Sequence, residues 1–565
     1  MILKKFVYHL IIGISLLCAG SCRNAKKPPA TDIVKTPEEM SLKLPELLRS
    51  SLDFADGNEG KIDADAQLVF LTQVREVYEK NKYTPVWSNK ERWNSFGDSL
   101  IYLIGKAKYY GLFPEDYHFP QIDSISKRFA EDTSSIHERK DAALWTKADL
   151  LLTDAFMHIV KDLKLGRLPQ DSITLRKDSV LSDEFYLQKL ELIQRRNSMN
   201  LVMHSLEPKH EGYLLLKEAL PQFLDDSTSN RVFTPVPSSG NDPVTFRAAL
   251  QQRLIEGGYL EQDSVQVDSL HLADAVKKFQ KQQGIAIDGK AGGGTLRMLN
   301  MSASDKFARI AITLDRYKLL PEQMPDRYIW VNLPAFYMKL HDGDSVKLTS
   351  KIICGKPATR TPLLTSAISE MITYPQWTIP TSIIVKEVLP GLKRDAGYLT
   401  KKGYSLIDSK GDEVDPYTVD WTKYSKGIPY KVVQGSGDDN ALGILKFNFP
   451  NKYAVYLHDT NQRYLFAQAM RSLSHGCVRV QEWEKLARYI IRYDYRDKYG
   501  DEPSPVEDSM STWLERKEKH SIGVHKRLPV FIRYFTCEGK DGKAVFYDDM
   551  YGEDKAMRER YFAGK

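Results

Sequence analysis

The chain has 565 residues, too many for one domain, so two to four domains of about 100–200 residues are expected. Hydrophobic residues make up 42% of it and aromatic residues 11%, which supplies sizeable cores and excludes disorder as the global state. A net charge of +6 is weak for this length, and no dense Lys/Arg run interleaved with aromatics occurs, so nothing points to nucleic acid as a partner.

The N-terminus opens with "MILKK", continues with the apolar "FVYHLIIGISLL" and ends in "CAGSC". A charged start, a short apolar run and a small-residue zone form the pattern of an export signal, expected over residues 1–21. The apolar run is too short for the roughly 20 residues that span a bilayer. "AGSC" resembles a bacterial lipobox, although Ala19 and Ser21 stand where Leu and Gly or Ala are commoner. It makes Cys22 the expected lipidated first residue of the processed chain, and a lipid anchor the expected link to a membrane. Cys18 then leaves with the signal, and Cys354, Cys477 and Cys537 remain. An odd number leaves at least one unpaired or paired between molecules. Cys354 and Cys537 sit in strand-like alternation and read as small buried hydrophobes. No CxxC occurs, so spacing gives no metal site.

Residues 22–60, rich in Lys, Pro, Glu, Asp and Ser without a strong period, read as a tether. Residues 61–237 read as a helical scaffold domain. Its best segment carries Leu144, Ala148, Leu151, Ala155, Ile159 and Leu163 at helical spacing, with Lys161 and Lys164 in the last turn and Gly166 as the C-terminal stop. "SSGNDP" marks a linker. Residues 242–302 then form a small three-helix module. Leu272, Val276 and Phe279 give one apolar face, Gly284 stops that helix, "IDG" turns the chain, and Thr295 is placed to cap the next helix.

From about residue 325 the apolar period changes to two, with hairpin turns at Asp342-Gly343 and Pro450-Asn451. The domain expected over 305–555 is therefore β-rich, and the fold class is multidomain α+β. Residues 381–437, which include Trp421, form a less regular insertion of the kind that acts as a lid or binding loop. In "KYAVYLHDT", Val455 and Leu457 face one way, and Ala454, Tyr456 and His458 the other. "SHGCVRV" then places His475 and Gly476 before Cys477, and Arg479 two positions after it. Cys477 is by residue type a structural filler, a metal ligand or a nucleophile. A free thiol is only a few per cent thiolate at neutral pH and gains reactivity when an imidazole takes its proton. His458 and His475 offer that, Gly476 lets a substrate approach the backbone closely, and backbone N–H groups there could hold an oxyanion.

His458 followed by "SHGCVRV" resembles the signature of the YkuD-fold L,D-transpeptidases. The stretches "YIWVNLPAFYMKL", "CGKPATRTPLL", "YPQWTIPTSII", "DNALGILKFNFPNKYAVYLHDT" and "LFAQAMRSLSHGCVRV" are similar in order to the large Gram-negative members of YcbB type. The module at 242–302 resembles a peptidoglycan-binding module through its AVKKFQ run, Asp288-Gly289, Gly292 and the Leu296/Leu299/Asn300 ending, with Gly293 where proline is usual. In "GSGDDNALG", Ser436 and Gly437 replace a common Pro-Gly. The resemblance implies Cys477 as nucleophile and His458 as general base, with Asp459 where the family often orients the imidazole through a backbone carbonyl. It implies His475 and Gly476 at the oxyanion region, and Arg479 ordering the site or meeting a substrate carboxylate. It implies no metal and no organic cofactor, a cap at 381–437, and peptidoglycan stem peptides and glycan as partners in the periplasm; cell-wall synthesis partners stay unidentified. The implied reaction joins two stems by a 3→3 cross-link with release of D-alanine. Alternatives are an L,D-carboxypeptidase or a hydrolase that releases wall proteins by the same acyl-enzyme, and a non-catalytic peptidoglycan-binding lipoprotein.

Overall fold

A computed structural model describes residues 30–131, 140–169, 180–225, 233–238, 242–261, 268–283, 285, 287–500 and 502–562. The expected signal at 1–21, the lipidation site Cys22, the first part of the tether and Gly284 lie outside the described residues. No described helix is long and apolar enough to cross a membrane. The chain divides into two compact units, one of residues 1–105, 114–159 and 182–202, the other of residues 106–113, 160–181 and 203–565.

In the first unit the tether expectation fails from residue 32 onward, where Asp32 and Val34 bond to Asp141 and Lys140 and Val34 is buried. Pro37–Asp56 is a helix, capped by Thr36 and buried along Met40, Leu44, Leu47, Leu48, Leu52 and Ala55. The apolar positions fall three and four apart, a helical face that the surrounding Lys, Pro and Glu obscure in composition. This face packs with Ile125, Phe129 and Trp145. A two-stranded ribbon, β1 (Ser88–Asn89) and β2 (Arg92–Trp93), interrupts the helices. The long helix Ala142–Lys164 forms as its spacing predicts, and Gly166 follows it at φ +78°. Its buried Asp149 accepts hydrogen bonds from the Tyr78 hydroxyl, the Val86 and Trp87 amides and Ser88 Oγ. These bonds tie the ribbon region to the helix and satisfy a carboxyl group that would otherwise be costly to bury.

In the second unit the expected three-helix module forms as Pro243–Glu256, Ser269–Gln282 and Gly293–Leu299. Leu272, Val276 and Phe279 are buried as expected. Thr295 lies inside the third helix instead of capping it, and accepts a hydrogen bond from the buried Gln280 amide. Gln280 also accepts from the Asp288 and Gly289 amides, so one side chain pins the "IDG" turn. The helix Glu211–Asp225, expected in the scaffold domain, belongs to this second unit. It packs on the hairpin β15 (Cys537–Lys540) and β16 (Lys543–Phe546).

The β-rich domain is one mixed sheet of nine strands. They are β3 (Arg327–Asn332), β4 (Tyr337–Asp342), β5 (Ser345–Gly355), β6 (Leu364–Thr373), β10 (Leu445–Asn448), β11 (Leu457–His458), β12 (Ser472–Ser474), β13 (Val478–Val480) and β14 (Ser521–Arg533). The order is β12-β5-β13-β11-β10-β6-β14-β3-β4, and β4 pairs again with β5, so eight strands close on themselves. The hairpin expected at Asp342-Gly343 forms one residue later: Asp342 pairs with Ser345, so the loop is Gly343-Asp344, with Gly343 at φ +56°. Ile329, Val331, Val530 and Ile532 point into the barrel core, while Trp330 and Phe531 pack on the helical core outside it. Alternate residues thus serve two cores. The helix Trp483–Tyr499 closes the barrel with Trp483, Leu486, Ala487, Ile490 and Ile491.

Between β6 and β10 the expected irregular insertion is a folded body. A sheet of β7 (Trp377–Thr378), β9 (Lys431–Gln434) and β8 (Tyr404–Ile407) packs with short helices on its own core of Ile379, Ile384, Val388, Leu389, Leu392, Leu399, Leu406, Trp421 and Val432. Short elements separated by polar turns hide this core from any single period.

Candidate active site

The site is built by two parallel strands of two and three residues. In β11 and β13, Leu457 faces Val478 and His458 faces Arg479. Leu457 and Val478 are fully buried in the barrel core. Side chains alternate along a strand, so Tyr456 and His458 share the opposite face with Cys477 and Arg479. The antiparallel pairing of β10 with β11 adds Lys446 directly across from His458. One face therefore carries a thiol, an imidazole, a phenol, an ammonium and a guanidinium.

His458 is 3% exposed. Burial first, then the charges of Arg479 and Lys446, hold its pKa down to about 3, against small opposing effects of the Asp459 and Leu442 backbone. The ring is neutral at physiological pH, as a general base must be, and its Nδ1 is buried without a well-formed hydrogen bond. Burial pushes the Cys477 thiol up, opposed by hydrogen bonds from the Tyr456 backbone and phenol and by the charges of Lys446 and Arg479. The resting pair is thus thiol and neutral imidazole, with stabilisers already aimed at the thiolate. The Cys477 sulfur lies 3.9 Å from the Ala454 carbonyl oxygen.

The turn before Cys477 is held from beneath. Gly476 has φ +127°, a conformation only glycine adopts readily. Its N–H donates to Ser474 Oγ, which donates to the Cys477 carbonyl at 2.6 Å. The Gly476 carbonyl accepts from Thr361 Oγ1 at 2.8 Å, and the same hydroxyl accepts from the Gly355 amide. Tyr551 completes the brace, its hydroxyl accepting from the Thr361 amide and donating to the Gly355 carbonyl. The Gly476 amide is spent inside the turn. The Cys477 amide has no acceptor among the described residues.

The remaining expected residues separate. His475 points to the insertion, where its Nε2 meets Glu387 Oε1 at 2.6 Å. Arg479 donates to Thr460 Oγ1 and Gln462 Oε1, each at 3.2 Å. The Asp459 carboxylate is fully buried and receives the Arg463 guanidinium and the Ile444 amide, which makes it a brace for the 440–444 loop. Cys354 and Cys537 are buried, as expected, and burial pushes both thiols up.

Sequence reasoning gave no role to Tyr456, Lys446, Thr361 or Glu387. Tyr456 was legible, because it shares the alternation phase of His458. Lys446 was not, because its position depends on strand register. Thr361 and Glu387 are distant in sequence and carry no motif.

Residues 326–507 match the model described as "L,D-transpeptidase catalytic domain", residues 72–220 match the "Scaffold domain", and residues 245–299 match the "Putative peptidoglycan binding domain". The chain is 35% identical over 250 residues to a curated protein of Haemophilus influenzae named "Putative L,D-transpeptidase", covering 44% of this chain and 48% of that protein. The match thus spans about half the length of the relative. Solved structures of an L,D-transpeptidase from Mycobacterium smegmatis and of L,D-transpeptidase 1 from Mycobacterium tuberculosis are 13% and 12% identical. Each match covers 37% of this chain, with 58% and 61% of those chains, at TM-scores of 0.17 and 0.14. Likeness at that level carries no argument here.

Proposed function

We propose, starting from an L,D-transpeptidase catalytic domain at residues 326–507, that the protein forms 3→3 cross-links in peptidoglycan through a thioester on Cys477. The observation that carries the proposal is the shared face of β11 and β13, which sets His458 and Tyr456 against Cys477 and Arg479. The Cys477 sulfur attacks the carbonyl carbon between the third stem residue and the terminal D-alanine while His458 takes the thiol proton. Negative charge on the carbonyl oxygen is met by the unspent Cys477 amide and the Tyr456 phenol, donors fixed before reaction. The carbon–nitrogen bond breaks, and His458 returns the proton to the leaving amine of D-alanine. An amine of a second stem then attacks the thioester, gives its proton to His458 and releases the thiol. No step calls on a group beyond these side chains.

The module at 245–299 would hold the glycan near this site, and the chain would work in the periplasm, tethered by lipid on Cys22. The test is intact mass spectrometry of the protein with a disaccharide-tetrapeptide, beside Cys477→Ser. An acyl adduct on the wild type alone, with D-alanine release and 3→3 dimers, is expected. An adduct that only hydrolyses would make the protein an L,D-carboxypeptidase, and the absence of any adduct would overturn the acyl-enzyme.

A further inference from the structure

Lys446 stands apart from the other charged groups at the site. It lies across from His458 in register, and its ammonium sits 3.9 Å from the centroid of the Tyr456 ring. Its charge reaches the Cys477 sulfur. The carboxylate whose charge reaches Lys446 is Glu370, and its oxygens accept from Ser521 Oγ and Asn448 Nδ2 without forming an ion pair with the ammonium. Arg479 braces the strand end through Nη1, which donates to both Thr460 and Gln462, and its buried Nε has no partner among the described residues. Among the described residues Lys446 has no ion pair. A part-buried ammonium carries three donors and no acceptor, and a carboxylate bound on the thiol's side of it would take them.

We propose that Lys446 receives the C-terminal carboxylate of the donor peptide, and so selects stems that end at the residue released. The inference rests on the acyl-enzyme reading above. In a stem of four residues the terminal carboxylate lies within one residue, about 3.8 Å, of the carbonyl that Cys477 attacks. An anion there falls in the neighbourhood that the thiol and Lys446 share. In a stem of five residues the same place holds a neutral amide, and the carboxylate lies one residue further on. A charge-assisted bond made by the shorter stem and forfeited by the longer one separates them by about 10- to 100-fold. The ring of Tyr456 beneath the ammonium fixes where the charge sits and leaves its donors directed at the ligand.

The experiment measures acylation kcat/KM for the full chain with a tetrapeptide acid and with its C-terminal carboxamide, in wild type, Lys446→Gln and Lys446→Arg. The rate of thiol alkylation by iodoacetamide is measured in parallel. Wild type is expected to prefer the acid by about 10- to 100-fold. Lys446→Gln should bring the acid down to the level of the carboxamide, over and above any slowing that both peptides and iodoacetamide share through the lost charge beside the thiol, and Lys446→Arg should retain the preference. A glutamine variant that keeps the wild-type preference for the acid, with both peptides and iodoacetamide slowed alike, would overturn the inference, because Lys446 would then act on the thiol alone. A wild type that acylates acid and carboxamide equally would also overturn it, whether or not the glutamine variant folds. A wild type that acylates with neither peptide would instead overturn the acyl-enzyme reading itself.

Discussion

The electrostatics of Cys477 and His458 describe a thiol and an imidazole that are both uncharged at rest. Burial raises one group and lowers the other, so a thiolate–imidazolium pair is disfavoured on both sides. The rate of Cys477 alkylation should therefore keep rising beyond pH 9, the ordinary value for its thiol, when followed by intact mass against pH. A plateau near neutral pH would show a preformed ion pair. Arrangement, more than resting ionisation, then sets reactivity, and the arrangement rests on Gly476. At φ +127° an added Cβ has room, with the nearest heavy atom 3.6 Å away, yet the backbone itself resists it. Gly476→Ala is expected to leave the melting temperature within a few degrees and to slow acylation about 100-fold, since a shift of about 1 Å at the reacting atoms is felt on that scale. Burst kinetics with the tetrapeptide would measure it.

At the scale of elements, the turn before Cys477 depends on segments far away in sequence. Thr361 bridges Gly355 and Gly476, and Tyr551 holds Thr361 and Gly355 from below. Thr361→Val removes the hydroxyl from two bonds and should cost about 1–3 kcal/mol of stability with about tenfold slower acylation; Thr361→Ser should restore both. Urea unfolding and single-turnover acylation check the two parts. Another contact acts on packing alone. A Cβ on Gly539 would come 2.1 Å from the Leu215 backbone, so the hairpin β15–β16 and the helix Glu211–Asp225 must separate to admit it. Gly539→Ala should lower the melting temperature by several degrees, readable by scanning calorimetry, because overpacking costs about 1–3 kcal/mol. Elements also mark where the sequence misleads. The alternation around His458 was legible, as was the hairpin near Asp342-Gly343, whose loop falls one residue on, at Gly343-Asp344. A two-residue turn at Pro450-Asn451 would set Lys446 opposite Val455, on the wrong face. The strands are instead joined by residues 449–456, where Asn451 Oδ1 accepts from the Tyr453 and Val455 amides. Lys446 then meets His458. A side chain that folds a loop onto itself sets register, and periodicity does not register its effect.

For the whole molecule, the organisation into helical, modular and β-rich parts could be read from changes in apolar period, because each part has enough buried faces to impose its own. The helix Pro37–Asp56 and the inserted body around Trp421 were missed for the opposite reason, their apolar residues being diluted by charge or split among short elements. The whole fold also carries an acid liability. His458 and His341 have pKa values held down to about 3 and about 4, in both cases by burial first. The unfolded chain binds those protons near pH 6.5 and the folded chain does not. Their contribution is complete above about pH 6.5 and is lost as pH falls toward 4 and 3, at up to about 1.4 kcal/mol per pH unit for each group. Unfolding free energy measured at pH 7, 6 and 5 should fall accordingly, and His458→Asn should flatten the decline. Finally, of the thiols beyond residue 30, Cys354 and Cys537 are sealed in folded cores while Cys477 opens to the site. A small electrophile added to a native preparation of that portion should therefore consume one equivalent and stop, and further uptake would report denatured molecules. The fold thus contains its own counting device, by which folded copies in a purified sample can be titrated before any substrate is at hand.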